Sequence, residues 1–397
     1  MSLDPAASDT LTSSLSKRKI IIEDTTLRDG EQAPGVAFSS KQKIEILDAL
    51  IAAGVRWIEV GIPAMGGDEL LALKAMLERR YDANLIAWNR GKPEDVAQSL
   101  AMGFKHIHIG LPTSEIHLKS SVSKDRGWLL ERATDMVKRG KDAGAFVSIS
   151  AEDVGRTDRA FLQEYAGTVA AAGADRLRLS DTIGTLSPAQ YGAVVKSVTD
   201  VSAINTQCHC HNDFGLAVAN TLAGLEAGAT YFHACINGMG ERAGMPDIAS
   251  MLMSLRHFHG VDLGVDLTRL KELSDLVARH SRQPCMPWHP VVGDNVFAHE
   301  SGIHSKGMLA DTRTFEPFPP EWVGGTRRYV IGKHTGGAAI RHVLADQGLD
   351  PDPALIARVL EETRLLSTSQ SRAVRPDELV DIYRQCVATS AACESIA

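Results

Sequence analysis

The feature that most limits the fold is a joint that recurs between Lys19 and His259, roughly every 25–35 residues. At each joint an amphipathic stretch ends in a small-residue turn containing glycine, and a short apolar run follows. Ala52-Ala53-Gly54 precedes Trp57-Ile58-Glu59-Val60, and Ala101-Met102-Gly103 precedes His106-Ile107-His108-Ile109. Asp142-Ala143-Gly144 precedes Phe146-Val147-Ser148-Ile149, Ala171-Ala172-Gly173 precedes Leu177-Arg178-Leu179, and Glu226-Ala227-Gly228 precedes Tyr231-Phe232-His233-Ala234. Glycine there suits a helix C-terminus, where a left-handed residue is needed. Between joints the helices are amphipathic: Lys41 to Ile51 puts Ile44, Leu47 and Ile51 on one face.

Alternating strands and helices at this spacing make the strands parallel. With Asn84 to Trp88 and Asn205 to Cys208 as further strands, about eight units fill ~240 residues, the size of a closed (β/α)8 barrel. An open doubly wound sheet is the alternative. It usually carries a glycine-rich phosphate loop after its first strand, whereas this chain has the charged run Asp24-Thr25-Thr26-Leu27-Arg28-Asp29-Gly30-Glu31-Gln32. The expected architecture is α/β: a flexible leader over residues 1–18, a TIM barrel over 19–283, and a linker with a small, mostly helical subdomain over 284–397. Pro284, Pro287 and Pro290 mark the linker, and the tail from Ala338 to Ala392 reads as short helices with Pro351, Pro353 and Pro376 near their starts.

In such a barrel, chemistry collects at the C-terminal ends of the strands. The residues there are Arg28, Asp29 and Gln32; Glu59; His108; Ser150 and Glu152; Asp181 and Thr182; His209 and His211; Asn237 and Glu241. Along a strand, alternate residues share a face, so His209 and His211 point one way and Cys208 and Cys210 the other. Two imidazoles with the Asp29 carboxylate make a divalent-metal set that suits Zn, Mn, Mg, Co or Fe without choosing among them. A His-x-His pair alone also reads as two hydrogen-bonded histidines. Arg28 beside the set can clamp an anionic substrate or steady an enolate, or else pair with an acid of the rim. Glu152 can steer a proton or cap the helix that follows it. His304, in the polar segment Glu300-Ser301-Gly302-Ile303-His304 beyond the barrel, is a candidate general base.

Composition narrows the partners. The net charge is −7 with no long basic run, which argues against nucleic acid or a membrane surface and leaves small anions held by local arginines. No apolar run approaches the ~20 residues that span a bilayer. Six scattered cysteines show no disulfide framework and read as reduced thiols, which places the chain in the cytoplasm.

Five ordered motifs carry a resemblance: Asp24 to Gln32, His209-Cys210-His211-Asn212-Asp213, Asn237 to Gly244, His299 to His304, and Gly332-Lys333-His334-Thr335-Gly336-Gly337. Together they resemble the DRE-TIM metallolyases, and within them the Claisen-condensing branch of homocitrate, 2-isopropylmalate and citramalate synthases. The nearest resemblance is to homocitrate synthases of the nitrogen-fixation type, and the chain leaves no room for the regulatory domain usual in 2-isopropylmalate synthases. The resemblance implies an acyltransferase that condenses acetyl-CoA with a 2-oxo acid held on a divalent cation. It matches Asp29, His209 and His211 to metal ligands and Arg28 to the group that steadies the keto oxygen. His108, Ser150 and Thr182 match substrate-holding positions, Gln32 lies beside them, and Glu152 and His304 match the acid–base residues. It also implies a homodimer.

The first expectation for the acceptor is 2-oxoglutarate, giving homocitrate and CoA. Pyruvate, 2-oxoisovalerate, oxaloacetate or a phosphonate analogue are the alternatives, as is a metal-dependent lyase or aldolase. Phe315 stands where the family has a catalytic tyrosine, and Gln207 where homocitrate synthases have glutamate. Met239 stands where isopropylmalate synthases have asparagine, and Ser148 where lysine-pathway homocitrate synthases have the arginine that grips the distal carboxylate of 2-oxoglutarate.

Overall fold

The structure is a computed structural model, described here for residues 14–394. Contacts divide the chain into two units, Met1–Cys285 and Met286–Ala397. In the first, eight parallel strands close into a barrel: β1 (Ile21–Asp24), β2 (Trp57–Gly61), β3 (Asn84–Arg90), β4 (His106–Gly110), β5 (Phe146–Glu152), β6 (Arg176–Asp181), β7 (Asn205–Cys210) and β8 (Tyr231–Ala234). The seam is β1 against β8, with Ile21 opposite Tyr231 and Asp24 opposite Ala234. The open-sheet alternative is thereby excluded.

The recurring glycines do what the turns require. Gly103 caps the helix Pro93–Met102 at φ 103°, in the left-handed region. Gly54 has φ +100°, and a Cβ there would lie 2.6 Å from the Gly264 carbonyl oxygen. At the other end of a helix, Ser39 and Gln42 form a reciprocal capping box ahead of Ser40–Ala52.

That helix corrects an expectation. Its buried residues are Lys43, Ile46, Leu47 and Leu50, rather than a face of Ile44, Leu47 and Ile51. Lys43 is tolerated inside because Glu31 and Glu69 both pair with its ammonium, at 2.8 and 2.5 Å. The buried face thus includes a lysine that an apolar pattern passes over.

Much of the leader expected over 1–18 lies outside the described residues. Its described end, Ser14–Lys17, is a turn of 3-10 helix with Leu15 fully buried, and Arg18 Nη1 donates to the Leu225 carbonyl at 2.5 Å. This end packs on the barrel, where an apolar side chain and a guanidinium both find partners.

The barrel interior is polar. Glu23, Glu59, His108, Ser148, Arg176, Arg178, Gln207 and His233 are all buried there. Along β6, Arg176 and Arg178 alternate with Leu177 and Leu179, and all are buried. The leucines face the helices, and the arginines form ion pairs with Glu23 and Glu59.

The second unit holds a short parallel pair, β9 (Ala298–His299) with β10 (Arg328–Tyr329), and the helices Gly302–Ala310, Gly337–Asp346, Ile356–Gln370 and Pro376–Glu394. Its core includes Ile340, Leu344, Val359 and Leu379. The last two helices run 15 and 19 residues, longer than the short ones expected. Cys208, Cys210, Cys235, Cys285 and Cys386 form no disulfide. Among the described residues no helix is long and apolar enough to cross a membrane.

Candidate active site

The loop after β1 is fastened before it reaches the site. Asp24 accepts from the Thr26 amide and hydroxyl, each at 2.9 Å, and Thr26 Oγ1 accepts from the Ile236 amide beyond β8 at 2.8 Å. The Asp29 amide donates to Thr25 Oγ1 at 3.3 Å. Arg28 and Asp29 therefore enter the barrel mouth on a loop tied to both neighbouring strands.

Asp29, His209 and His211 meet there. Their candidate ligand atoms all lie within 4.8 Å of one another, and Asp29 Oδ2 is 3.6 Å from His209 Nε2. All three are buried. Asp29 Oδ1 and His211 Nδ1 have no hydrogen-bond partner among the described residues. A buried acceptor left without a donor costs free energy that a cation would recover. Burial would raise the Asp29 carboxyl, but the Arg28 guanidinium beside it leads the charges that outweigh burial and hold it far below the usual range. Burial also lowers His209 and His211, so both rings are neutral and can offer a lone pair. The donor set fits a divalent cation.

A second buried cluster, Glu23, Glu59 and His233, has the right residue types too. It is already matched by protein cations: Arg176 and Arg178 pair with Glu23, and Arg28 and Arg178 with Glu59.

Arg28 is aimed by its neighbours. Its Nε donates to Glu59 Oε2 at 2.5 Å and its Nη1 to Asp29 Oδ2 at 2.6 Å. The guanidinium lies 5.8 Å from the Trp88 ring centroid, and its buried Nη2 has no partner among the described residues.

A cavity of about 210 Å³ opens at this mouth. Of the residues expected from the sequence, Arg28, Asp29, Gln32, Ser150, Glu152, Thr182, His209, His211 and Glu241 line it. Loss of hydration raises the Glu152 carboxyl, against the pull of Arg28 and Arg178. Thr182 Oγ1 accepts from the Asp153 amide at 2.9 Å, which fixes its rotamer.

Other expected residues sit elsewhere. His108 is buried and does not line the cavity; it supports the wall, with Nε2 3.1 Å from Ser150 Oγ and Nδ1 2.9 Å from Ser148 Oγ. Both of its ring nitrogens are engaged by serines of β5, which keeps the imidazole behind the wall. Asp181 accepts from the Thr185 and Leu186 amides, and Asn237 donates to the Ser274 carbonyl, so both shape loops. His304 belongs to the second unit, on the helix Gly302–Ala310, where its exposed ring stacks on Phe315 with centroids 4.0 Å apart.

Trp88, Arg178, Ser180 and Arg242 line the cavity without having been singled out. Arg178 was legible in principle, as a charge alternating with leucines in a strand. Arg242 was not: a positive φ of 57° and its bonds to Asp213 and the Thr182 carbonyl turn it toward the cavity.

A family model described as HMGL-like matches residues 19–277, and one described as homocitrate synthase post-HMGL domain-like matches 291–371. The 2-phosphonomethylmalate synthase of Streptomyces rubellomurinus is 58% identical over 94% of this chain and 100% of its own length. Homocitrate synthase 1 of Nostoc sp. is 40% identical over 92% of this chain and 97% of its own, and 2-isopropylmalate synthase 2 of Caldanaerobacter subterraneus is 41% identical over 93% and 96%. In fold, the HMG-CoA lyase of Bacillus subtilis superposes with a TM-score of 0.62 at 19% identity, over 68% of this chain and 96% of that one. The chain belongs to the HMGL-like family, in the DRE-TIM Claisen-condensing branch of the homocitrate and 2-isopropylmalate synthases.

Proposed function

We propose that this chain condenses acetyl-CoA with 3-phosphonopyruvate, giving 2-phosphonomethylmalate and free CoA. The observation that carries the acceptor is the 58% identity to a 2-phosphonomethylmalate synthase, against 40% and 41% to the homocitrate and isopropylmalate synthases. Cutting the bond that acetyl-CoA would form in that product leaves 3-phosphonopyruvate as the 2-oxo acid. The cavity chemistry agrees. Three guanidiniums, Arg28, Arg178 and Arg242, and the hydroxyls of Ser150, Ser180 and Thr182 face a substrate anionic at both ends.

Ser148 supports the same choice. The position from which an arginine would grip the distal carboxylate of 2-oxoglutarate holds a buried hydroxyl that accepts from Arg176 Nε at 3.0 Å and lies outside the cavity lining. The match of residues 291–371 to a homocitrate synthase domain favours 2-oxoglutarate as the second reading.

Asp29, His209 and His211 would hold the divalent cation, which supplies polarisation of the keto group and offsets charge growing on its oxygen. Arg28 Nη2 donates to that same oxygen. Glu152, from its partly dehydrated place in the wall, handles a proton of the reaction. A methyl proton leaves acetyl-CoA, the resulting carbon nucleophile bonds to the keto carbon, and the keto oxygen is protonated. Water then cleaves the thioester, releasing CoA. From the family resemblance we carry over His304 as a second acid–base group, and a homodimer as the assembled form.

The test is CoA release with a divalent cation and a panel of 3-phosphonopyruvate, 2-oxoglutarate, pyruvate, 2-oxoisovalerate and oxaloacetate. The phosphonate should give the highest kcat/KM, by about 100-fold or more, as expected when polar groups of a site lose their partner. A higher value with 2-oxoglutarate selects the second reading.

A further inference from the structure

Beneath the cavity, His209 is backed by buried side chains that the proposed reaction does not use: His233, Glu23 and Arg176. His209 Nδ1 is 2.7 Å from His233 Nδ1, and His233 Nε2 is 2.7 Å from Glu23 Oε1. Glu23 Oε2 in turn accepts from Arg176 Nη1 at 2.6 Å. Arg178 Nη2 also lies 3.2 Å from His233 Nε2, but carboxylates take its hydrogens: Glu59 Oε1 at 2.7 Å and Glu23 Oε1 at 3.3 Å.

The hydrogen positions follow from the partners. A carboxylate only accepts, so the hydrogen between His233 and Glu23 is on His233 Nε2. A neutral His233 then has an acceptor at Nδ1, and the short contact between the two rings is filled by a hydrogen on His209 Nδ1. His209 is left with its lone pair on Nε2, the atom facing Asp29. The opposite tautomer would bury an N–H at the cation position.

We propose that His233 is a positioning residue for the cation site. Held by Glu23 through Nε2–H, it accepts from His209 Nδ1–H and fixes the tautomer in which His209 turns a lone pair toward Asp29 and His211. The proposal rests on the reading of Asp29, His209 and His211 as cation ligands. Partners behind a ligating histidine set its tautomer and raise its basicity. Here the partner is a second imidazole, which extends the relay to a carboxylate on the adjacent strand, where Glu23 of β1 lies opposite His233 of β8.

The experiment compares the metal-free full chain with His233→Leu and His233→Gln, each titrated with Mn(II) and read by the electron paramagnetic resonance of the free ion. Glutamine can accept through its amide oxygen and donate through its amide nitrogen; leucine keeps only bulk. His233→Leu should weaken Mn(II) binding at least about tenfold, while His233→Gln stays within about threefold of wild type. Unchanged affinity in His233→Leu, or equal losses in both variants, overturns the proposal. Circular dichroism checks that each variant folds.

If a variant does not fold, histidine-selective 15N NMR of the wild-type chain with Zn(II) decides, with the His209 signal assigned by its absence in His209→Gln. A ring protonated at Nδ1 supports the relay, and one protonated at Nε2 overturns it. Wild-type protein that takes up no Mn(II) overturns the ligand reading itself, so the two failures are told apart.

Discussion

Glu59 Oε2 takes the Nε–H of Arg28 at 2.5 Å, and the other oxygen of the same carboxylate takes an Arg178 Nη2–H at 2.7 Å. One buried acid on β2 thus aims two guanidiniums that line the cavity. Arg28 keeps Nη1 for Asp29 and leaves Nη2 without a protein partner among the described residues. In the proposed reaction this Nη2 is the donor for the keto oxygen on which charge grows.

Removing that anchor should cost both activity and stability. Glu59→Gln leaves two buried guanidiniums short of a counter-charge, a loss of about 3 kcal/mol by analogy with broken buried pairs. A misaimed Arg28 should lower kcat/KM about 100-fold, the scale of one lost oxyanion donor. Thermal unfolding and CoA release measure the two effects. Unchanged kcat/KM in a folded variant means that Arg28 is aimed by something else.

His211→Ala should weaken cation binding severely while the barrel stays folded. His211 follows β7 at the mouth, and its Nδ1 has no hydrogen bond to lose among the described residues. Its removal should weaken cation affinity by roughly a hundredfold or more, since it takes one of three protein ligands. Circular dichroism and metal analysis after dialysis check this. Unfolding with unchanged metal content would contradict it.

Glu152 should set a pH dependence if it handles a proton as proposed. Burial raises its carboxyl above the ordinary 4.5. Acting as a base it must be ionised, so kcat should fall as pH drops through that raised value. The acid limb of the rate profile should therefore lie above 4.5 and vanish in Glu152→Gln, whose kcat should be lower by about 100-fold or more. An identical limb in the variant assigns it to another group.

His304 is exposed and stacks on Phe315. His304→Ala should change stability by less than about 1 kcal/mol, as surface substitutions do. If it handles a proton, kcat should drop about 100-fold with cation affinity unchanged. A kcat close to wild type removes His304 from the reaction.

The barrel was legible because its period is long and its punctuation strong. A glycine such as Gly103, forced left-handed at a helix end, marks each joint, and strands such as Tyr231–Ala234 start where the apolar run starts. The meeting of Asp29 with His209 and His211 was legible because strand alternation puts His209 inward between two outward cysteines. The reach of an inward side chain was not legible. His108 shares the inward face, but serines of β5 engage both its ring nitrogens behind the wall, and nothing in the pattern around His106 and His108 announces those partners. Nor was the polar interior legible, since Glu23, Arg176, Gln207 and His233 are brought together only by barrel closure. Lys43 misled the helix pattern for a related reason: its partners come from two other segments.

The most direct test is an anomalous difference map from crystals grown with Mn(II). One peak should lie about 2.0–2.3 Å from a carboxylate oxygen of Asp29 and from ring nitrogens of His209 and His211, within ordinary ligand distances. A peak at Glu23, Glu59 and His233 instead, or none between Asp29 and the two histidines, would contradict the account.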